Sequence, residues 1–269
     1  MTERWCVLAS VSTPSTDADR VYFFIHVMKT AGGTFRNHLL ATFGRDASFP
    51  DWSVDQGVAN VDLATLDAVT DERLRRIRAF SGHFPYLATT RVEQRIGRPV
   101  TRLTILRHPV DRTISLLGDM RHWNDDTRGR TVEELYDDPM LNAMFVRDHM
   151  TKIFALTDAD DPPNYMHGLV IDDERQALAR QRLTTCDVVG LRERFDDFVA
   201  EVEGRFDWTI ADRPDRHRAR GEAFDVSNSF RARIAEDNAH DMAFYDYAVS
   251  LVESRAREGA WDERPRREP

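Results

Sequence analysis

A chain of 269 residues with 41% hydrophobic content can bury a substantial core, as one large α/β domain or two small ones. Its 46 acidic against 37 basic residues give a formal charge of −9. That balance excludes the broad basic face of a general nucleic-acid binder, so any phosphate site has to be a local basic pocket. Cys6 and Cys186 are the two cysteines, with no Cys-x-x-Cys or Cys/His spacing; they supply neither a disulfide framework nor a structural zinc site and fit a reducing compartment.

At the N-terminus, WCVLASV follows Glu3 and Arg4 and is too short for a signal-peptide core or a membrane span. A soluble cytoplasmic protein without a transmembrane segment is expected. The strand candidates are Val21–Val27, Ala79–Gly82, Thr101–Leu106 and Asp187–Leu191. Helical patterns separate them; Phe195, Phe198, Val199, Val202 and Phe206, for example, share one helix face. Strands alternating with helices imply right-handed crossovers and a mainly parallel central sheet flanked by helices in three layers, an α/β fold. The segment Asp137–Leu156 reads as one helix with Leu141, Met144 and Phe145 on its buried side. Asp158–Asn164, rich in Asp and Pro, reads as a loop. Phe244, Tyr247, Ala248, Leu251 and Val252 mark a last amphipathic helix. No repeat or linker divides the chain, so residues 1–261 are expected to form a single domain, with 262–269 a charged, frayed tail.

The first strand runs into Lys29-Thr30-Ala31-Gly32-Gly33-Thr34 and straight on into a helix beginning near Phe35. In an open parallel sheet, ligands collect at the carboxyl ends of strands. Glycines there let the backbone approach an anion, and the free N–H groups of the helix start point toward it. Lys29 adds charge, and Thr30 and Thr34 add hydroxyl donors. The turn therefore suits a phosphate, although the same residues also fit a tight strand-to-helix turn with a solvated lysine. The Walker A order G-x-x-x-x-G-K-[ST] is absent, because here the lysine precedes the glycines.

LTILRHPVDRTISLL ends a second strand on Arg107, puts Pro109 in the first helical turn and Ser115 in the second. Arginine offers a donor fork suited to phosphate, and a nearby serine can complete the grip. In SGHFPYL, His83 follows the short strand, and an imidazole is suited to taking a proton near neutral pH. A hydrogen-bonded loop histidine between Gly82 and Pro85 is the plainer alternative. His26, in the strand itself, reads as a buried, satisfied histidine. His122, His149 and His167 have no supporting context, and no His-x-x-x-His pair with an acidic partner suggests a metal.

FFIHVMKTAGGTF resembles the 5′-phosphosulfate loop of sulfotransferases that use 3′-phosphoadenosine 5′-phosphosulfate (PAPS), in particular the carbohydrate O-sulfotransferase branch and its soluble bacterial-type members. Met28 stands where that family has proline, and Ala31 where it has the first glycine. The resemblance implies a P-loop NTPase-like fold, with PAPS as donor, 3′-phosphoadenosine 5′-phosphate (PAP) as product, and no metal requirement. It implies that Lys29, Thr30, Ala31, Gly32, Gly33, Thr34 and Phe35 hold the 5′-phosphosulfate, and that Arg107 with Ser115, eight positions later, holds the 3′-phosphate. The segment around His83 is similar to the family's Gly-His-x-Pro-Phe, whose histidine is the catalytic base, so His83 and Lys29 are the implied catalytic pair. VGLRERF and the Asn238, Asp241 and Tyr245 positions resemble its C-terminal architecture. In patches the likeness spans Val21–Ser250.

The implied reaction is in-line sulfuryl transfer to a hydroxyl, on a glycan, glycolipid or natural product, with no nucleic-acid partner. Two alternatives stay open: a P-loop-type nucleotide-dependent kinase, which needs an acidic residue to organise Mg²⁺, and a non-catalytic nucleotide-binding protein. The irregular segments Arg45–Leu66, Trp123–Asp137 and Asp158–Gly168 are the candidates for acceptor selection, with Trp52, Trp123 and Tyr165 as stacking residues. The arginines at 213, 216, 218 and 220 form a basic run that either covers an anion or is solvated.

Overall fold

A computed structural model describes residues 20–50, 63–160, 165–208 and 225–258. WCVLASV, Trp52, the 213–220 arginine run and the 262–269 tail lie outside the described residues. In the first half the chain forms β1 (Val21–Ile25), α1 (Gly32–Phe43), β2 (Ser48–Phe49), α2 (Leu63–Ala68), α3 (Asp71–Arg76), β3 (Ala79–Phe80), α4 (Tyr86–Ile96), β4 (Val100–Leu106) and α5 (Pro109–Met120). It continues through α6 (Val132–Tyr136), α7 (Pro139–Leu141), a π-turn (Asn142–Val146), α8 (His149–Ala155), α9 (Tyr165–Gly168) and α10 (Asp173–Thr184). The last elements are β5 (Val188–Leu191), α11 (Phe195–Phe206), α12 (Asn228–Asp237) and α13 (Ala239–Arg257).

The five strands form one all-parallel sheet in the order β2-β3-β1-β4-β5. The fold is α/β, a parallel central sheet flanked by helices, as expected. The four expected strands are present; three are trimmed by a residue or two, and the one expected at Thr101–Leu106 begins a residue earlier, at Val100. β2, two residues long, carries too little pattern to be read from sequence. From β1 the chain goes out to the edge strand β2 and returns to β3 beside β1, then crosses to the other side for β4, so the tips of β1 and β4 are neighbours, with Ile25 in register with Thr104.

β1 is apolar throughout because both sheet faces are covered. Tyr22 and Phe24 pack with Phe35 and Leu39 of α1 and Phe198, Val199 and Val202 of α11. Val21, Phe23 and Ile25 point the other way, into a larger cluster with Leu87, Phe154, Leu183 and Phe244. A parallel strand reads as a continuous hydrophobic run for this reason. Cys186 is buried in the second cluster, and burial pushes its thiol up to about 12.

One expectation is corrected. Asp137–Leu156 is not a continuous helix but α7, the π-turn and α8, broken where Asp148 adopts φ 49°. Tertiary polar contacts drive the break. Asn238 accepts the Asp148 N–H at 2.9 Å, and the Asp241 carboxylate accepts the N–H groups of Met150 (3.1 Å) and Thr151 (2.7 Å) together with the Thr151 hydroxyl. Asp241 thus caps α8, while Asp148 accepts the Asp241 N–H at 3.2 Å and caps α13 in return. Leu141 and Phe145 do pack on a core cluster, half-buried.

Candidate functional site

The turn after β1 is built from backbone conformations that side chains normally avoid. Lys29 and Ala31 both have positive φ, 66° and 73°, each a local cost of about 1–3 kcal/mol that surrounding structure has to offset. Alternating backbone of this kind turns successive N–H groups to one side and makes an anion-binding concavity. Ala31 is the N-cap of α1 and has no side chain to cap with. Thr34 and Phe35 donate to its carbonyl. Thr30 is buried and its hydroxyl donates to the Val27 carbonyl at 2.9 Å, tying the turn closed. Thr34 is half-buried at the helix start.

The two glycines do different work. A Cβ on Gly32 would lie 1.9 Å from Cδ2 and 2.1 Å from Nε2 of His26, so this glycine is what lets the His26 ring lie on the turn. A Cβ on Gly33 would meet nothing within 4 Å; the space in front of it is open. Phe35 is fully buried, edge-on to Phe24 (4.8 Å) and Phe198 (4.9 Å), and fixes the helix to the sheet.

His83 reaches the same place from β3. A Cβ on Gly82 would lie 2.4 Å from the Phe84 ring, and Phe84 is fully buried beneath it. This packing turns His83 toward β1. Its Nδ1 lies 2.9 Å from the His26 carbonyl oxygen, and the two imidazole rings are 4.0 Å apart. A carbonyl can only accept, so Nδ1 carries the proton and Nε2 presents a lone pair. Burial lowers the pKa of His83, with Arg36 and Lys29 adding positive charge nearby; burial lowers that of His26 still further. Both rings are neutral at pH 7.

From β4, Arg107 donates from Nη1 to the Lys29 carbonyl oxygen at 3.2 Å, so the two strand tips share one site. Burial lowers the Arg107 pKa, and Arg192 acts in the same direction. Ser115 stands half-buried two turns into α5. The C-terminal half closes this side: Glu193, just after β5, accepts the His108 N–H at 3.3 Å and the Tyr245 hydroxyl at 2.9 Å. The VGLRERF segment therefore holds the backbone beside Arg107.

Farther along α5, Asp119 takes the Lys29 ammonium at 3.3 Å on Oδ1 and the Trp123 indole N–H at 3.2 Å on Oδ2. Trp123 stands edge-on to Phe145 of the π-turn, ring centroids 5.3 Å apart. Three buried basic side chains grip that turn by its carbonyls. Lys152 donates to Ala143 (2.9 Å), His149 to Met144 (3.2 Å), and Arg112 to Phe145 and Val146 (3.0 and 3.1 Å). Burial lowers the Arg112 pKa to about 10, and burial with the charge of Asp148 raises that of Asp241 to about 6.

The structure thus brings Lys29–Phe35, His83 and Arg107 to the tips of β1 and β4, with Ser115 on α5 directly after Arg107. Asp119 was invisible to sequence reading, because an aspartate late in an amphipathic helix carries no motif; the signal was its i+4 spacing from Ser115. His26 was read correctly as buried, but its contact with His83 depends on sheet order. No group of three or more His, Cys, Asp or Glu side chains that could hold a metal occurs among the described residues. None of the described helices is long and apolar enough to cross a membrane.

No protein-family model matches the sequence, and no curated protein matches it. Among solved structures, the chain is similar to the sulfotransferase from Alicyclobacillus acidocaldarius, with 17% identity and a TM-score of 0.42, over 83% of this chain and 95% of that one. A likeness at that level assigns no residues.

Proposed function

We propose that this chain is a PAPS-dependent sulfotransferase acting on a hydroxylated acceptor. The observation that carries the reading is the contact between the two strand tips: Arg107 donates to the Lys29 carbonyl, so one nucleotide with phosphates on its 5′ and 3′ sides can be held at both ends at once. The residues fit such a donor. The uncapped start of α1, the open space at Gly33 and the Lys29 ammonium suit a phosphosulfate. Arg107 and Ser115 supply a charged fork and a hydroxyl for the second phosphate. The donor supplies an activated sulfuryl group.

The chain's own residues do the rest. His83 Nε2, held in the lone-pair tautomer by the His26 carbonyl, takes the acceptor hydroxyl proton as the new O–S bond forms and the S–O bond to the 5′-phosphate breaks. Lys29 swings from Asp119 to the oxygen on which charge grows. Fixing both partners in line supplies much of the remaining acceleration. The kinase alternative gains one feature, the Asp119 carboxylate near the phosphate turn, but that group is already shared between Lys29 and Trp123.

The deciding experiment offers ³⁵S-labelled PAPS and, separately, γ-labelled ATP with Mg²⁺ to an acceptor panel, for wild type, Lys29→Ala and His83→Ala. Label transfer from PAPS alone, lost in both variants, is the expected result. Transfer from ATP alone means a kinase, and tight PAP binding without turnover means a non-catalytic binder.

A further inference from the structure

The Asp119–Trp123 pair belongs to no motif that the proposed chemistry used, and it sits where an acceptor has to approach Lys29. We infer that Asp119, with Trp123, forms the acceptor subsite and selects an uncharged molecule with a flat face over an anionic one. The inference rests on the proposed sulfotransferase reading.

The physical argument starts from charge. Asp119 is shared between Lys29 on one oxygen and Trp123 on the other, with 37% of its side chain exposed. Once Lys29 turns to the donor, that carboxylate keeps its indole partner and loses its cation. It then presents a negative charge beside the transfer point. The following turn does not cancel it. Arg128 is committed to Asp125 at 2.7 Å and Arg130 to Asp138 at 3.0 Å, and Asp126 is exposed. Arg121 is half-buried and engaged in an interaction of its own. From Asp119 to Arg128 three aspartates face two arginines. Juxtaposed like charges cost several kcal/mol, so an anionic acceptor is rejected here, while a neutral hydroxyl can donate to Asp119.

The second part of the argument is shape. Trp123 is a large hydrophobic side chain left 37% exposed, and it does not float. Its indole N–H is held by Asp119 and its ring by the edge of Phe145, whose own carbonyl is clamped by the buried Arg112. A braced, half-exposed indole is a rigid platform of low conformational cost, suited to one flat partner.

A pair of probes tests the charge: 4-nitrophenyl β-D-glucopyranoside and 4-nitrophenyl β-D-glucuronide, which carry a hydroxymethyl and a carboxylate at C6, are each offered with labelled PAPS, and Asp119→Asn separates the effect of the charge from that of the missing C6 hydroxyl. PAP binding to every variant is measured by calorimetry. Wild type is expected to favour the glucoside by about tenfold or more in kcat/KM, the size of one like-charge contact at a partly solvated site. Asp119→Asn should shrink that preference severalfold by improving the glucuronide. Trp123→Ala should raise the glucoside KM by about tenfold, as losing one pocket contact does, with PAP affinity unchanged. An equal or reversed preference, a ratio insensitive to Asp119→Asn, or an unchanged KM in Trp123→Ala each overturns the inference. If PAP binds but neither probe is labelled, the inference is overturned and the donor reading stands. If PAP does not bind wild type, both fall.

Discussion

His83 and His26 are joined through the backbone of one and the side chain of the other: His83 Nδ1 lies 2.9 Å from the His26 carbonyl oxygen, and the rings stand 4.0 Å apart. The arrangement fixes which nitrogen of His83 faces the site, and burial keeps it neutral. His83→Ala is therefore expected to lower kcat by about 10²–10⁴ with PAP binding intact. Because the pKa is lowered, the acid limb of the kcat/KM profile should fall below the ordinary histidine value. A limb above that value, or an unchanged kcat, would contradict this role.

The glycines of the first turn separate packing from binding. Gly32→Ala drives a Cβ into the His26 ring and should cost about 1–3 kcal/mol in thermal unfolding, as overpacking does, with loss of activity as His83 moves. Gly33→Ala meets nothing; its unfolding temperature should hardly change, while PAP affinity drops because the new methyl occupies the open mouth. Equal melting shifts in the two variants would refute the distinction.

Arg107 offers a test of which phosphate it serves. Arg107→Ala removes a charged hydrogen-bonding group worth about 1.5–3 kcal/mol, and should weaken PAP by the corresponding one to two orders of magnitude. Adenosine 5′-phosphosulfate, which lacks the 3′-phosphate, should bind the variant and wild type alike. Calorimetry with both ligands checks the assignment; a parallel loss would place Arg107 on the 5′ side.

Stability should fall on acidification. Burial lowers the pKa values of His26, His83 and His149 in the folded state. Below the unfolded histidine value of about 6.5, the unfolded chain thus binds more protons, and each such group contributes a slope of up to about 1.4 kcal/mol per pH unit. That stability is present above pH 6.5 and is lost as pH falls. Asp241, raised to about 6, and Asp148 and Glu201, also raised, act in the opposite sense at lower pH. The histidines act from about pH 6.5 and Asp241 only below about 6, so urea midpoints should decline from pH 7 to pH 6. Replacing His149 by Gln should flatten the decline.

The expectations that held share a local origin. The apolar run Val21–Ile25, the Lys-Thr-Ala-Gly-Gly-Thr turn and the spacing of Phe198, Val199 and Val202 are each set by neighbours in the chain, because alternation and helical period are local properties. The helix expected over Asp137–Leu156 failed where the deciding contacts were not local: Asp241, some 90 positions on, competes for the N–H groups of Met150 and Thr151.

The sequence by itself determined four of the five strands, the glycine-containing turn after β1 and the residue types at two strand tips, since backbone conformation and burial pattern follow from adjacent side chains. Only the tertiary structure decided that Arg107 touches Lys29, that His83 rests on His26 57 positions away, and that Asp119 holds the lysine. Those contacts depend on strand order and helix placement, which emerge when the whole core packs at once.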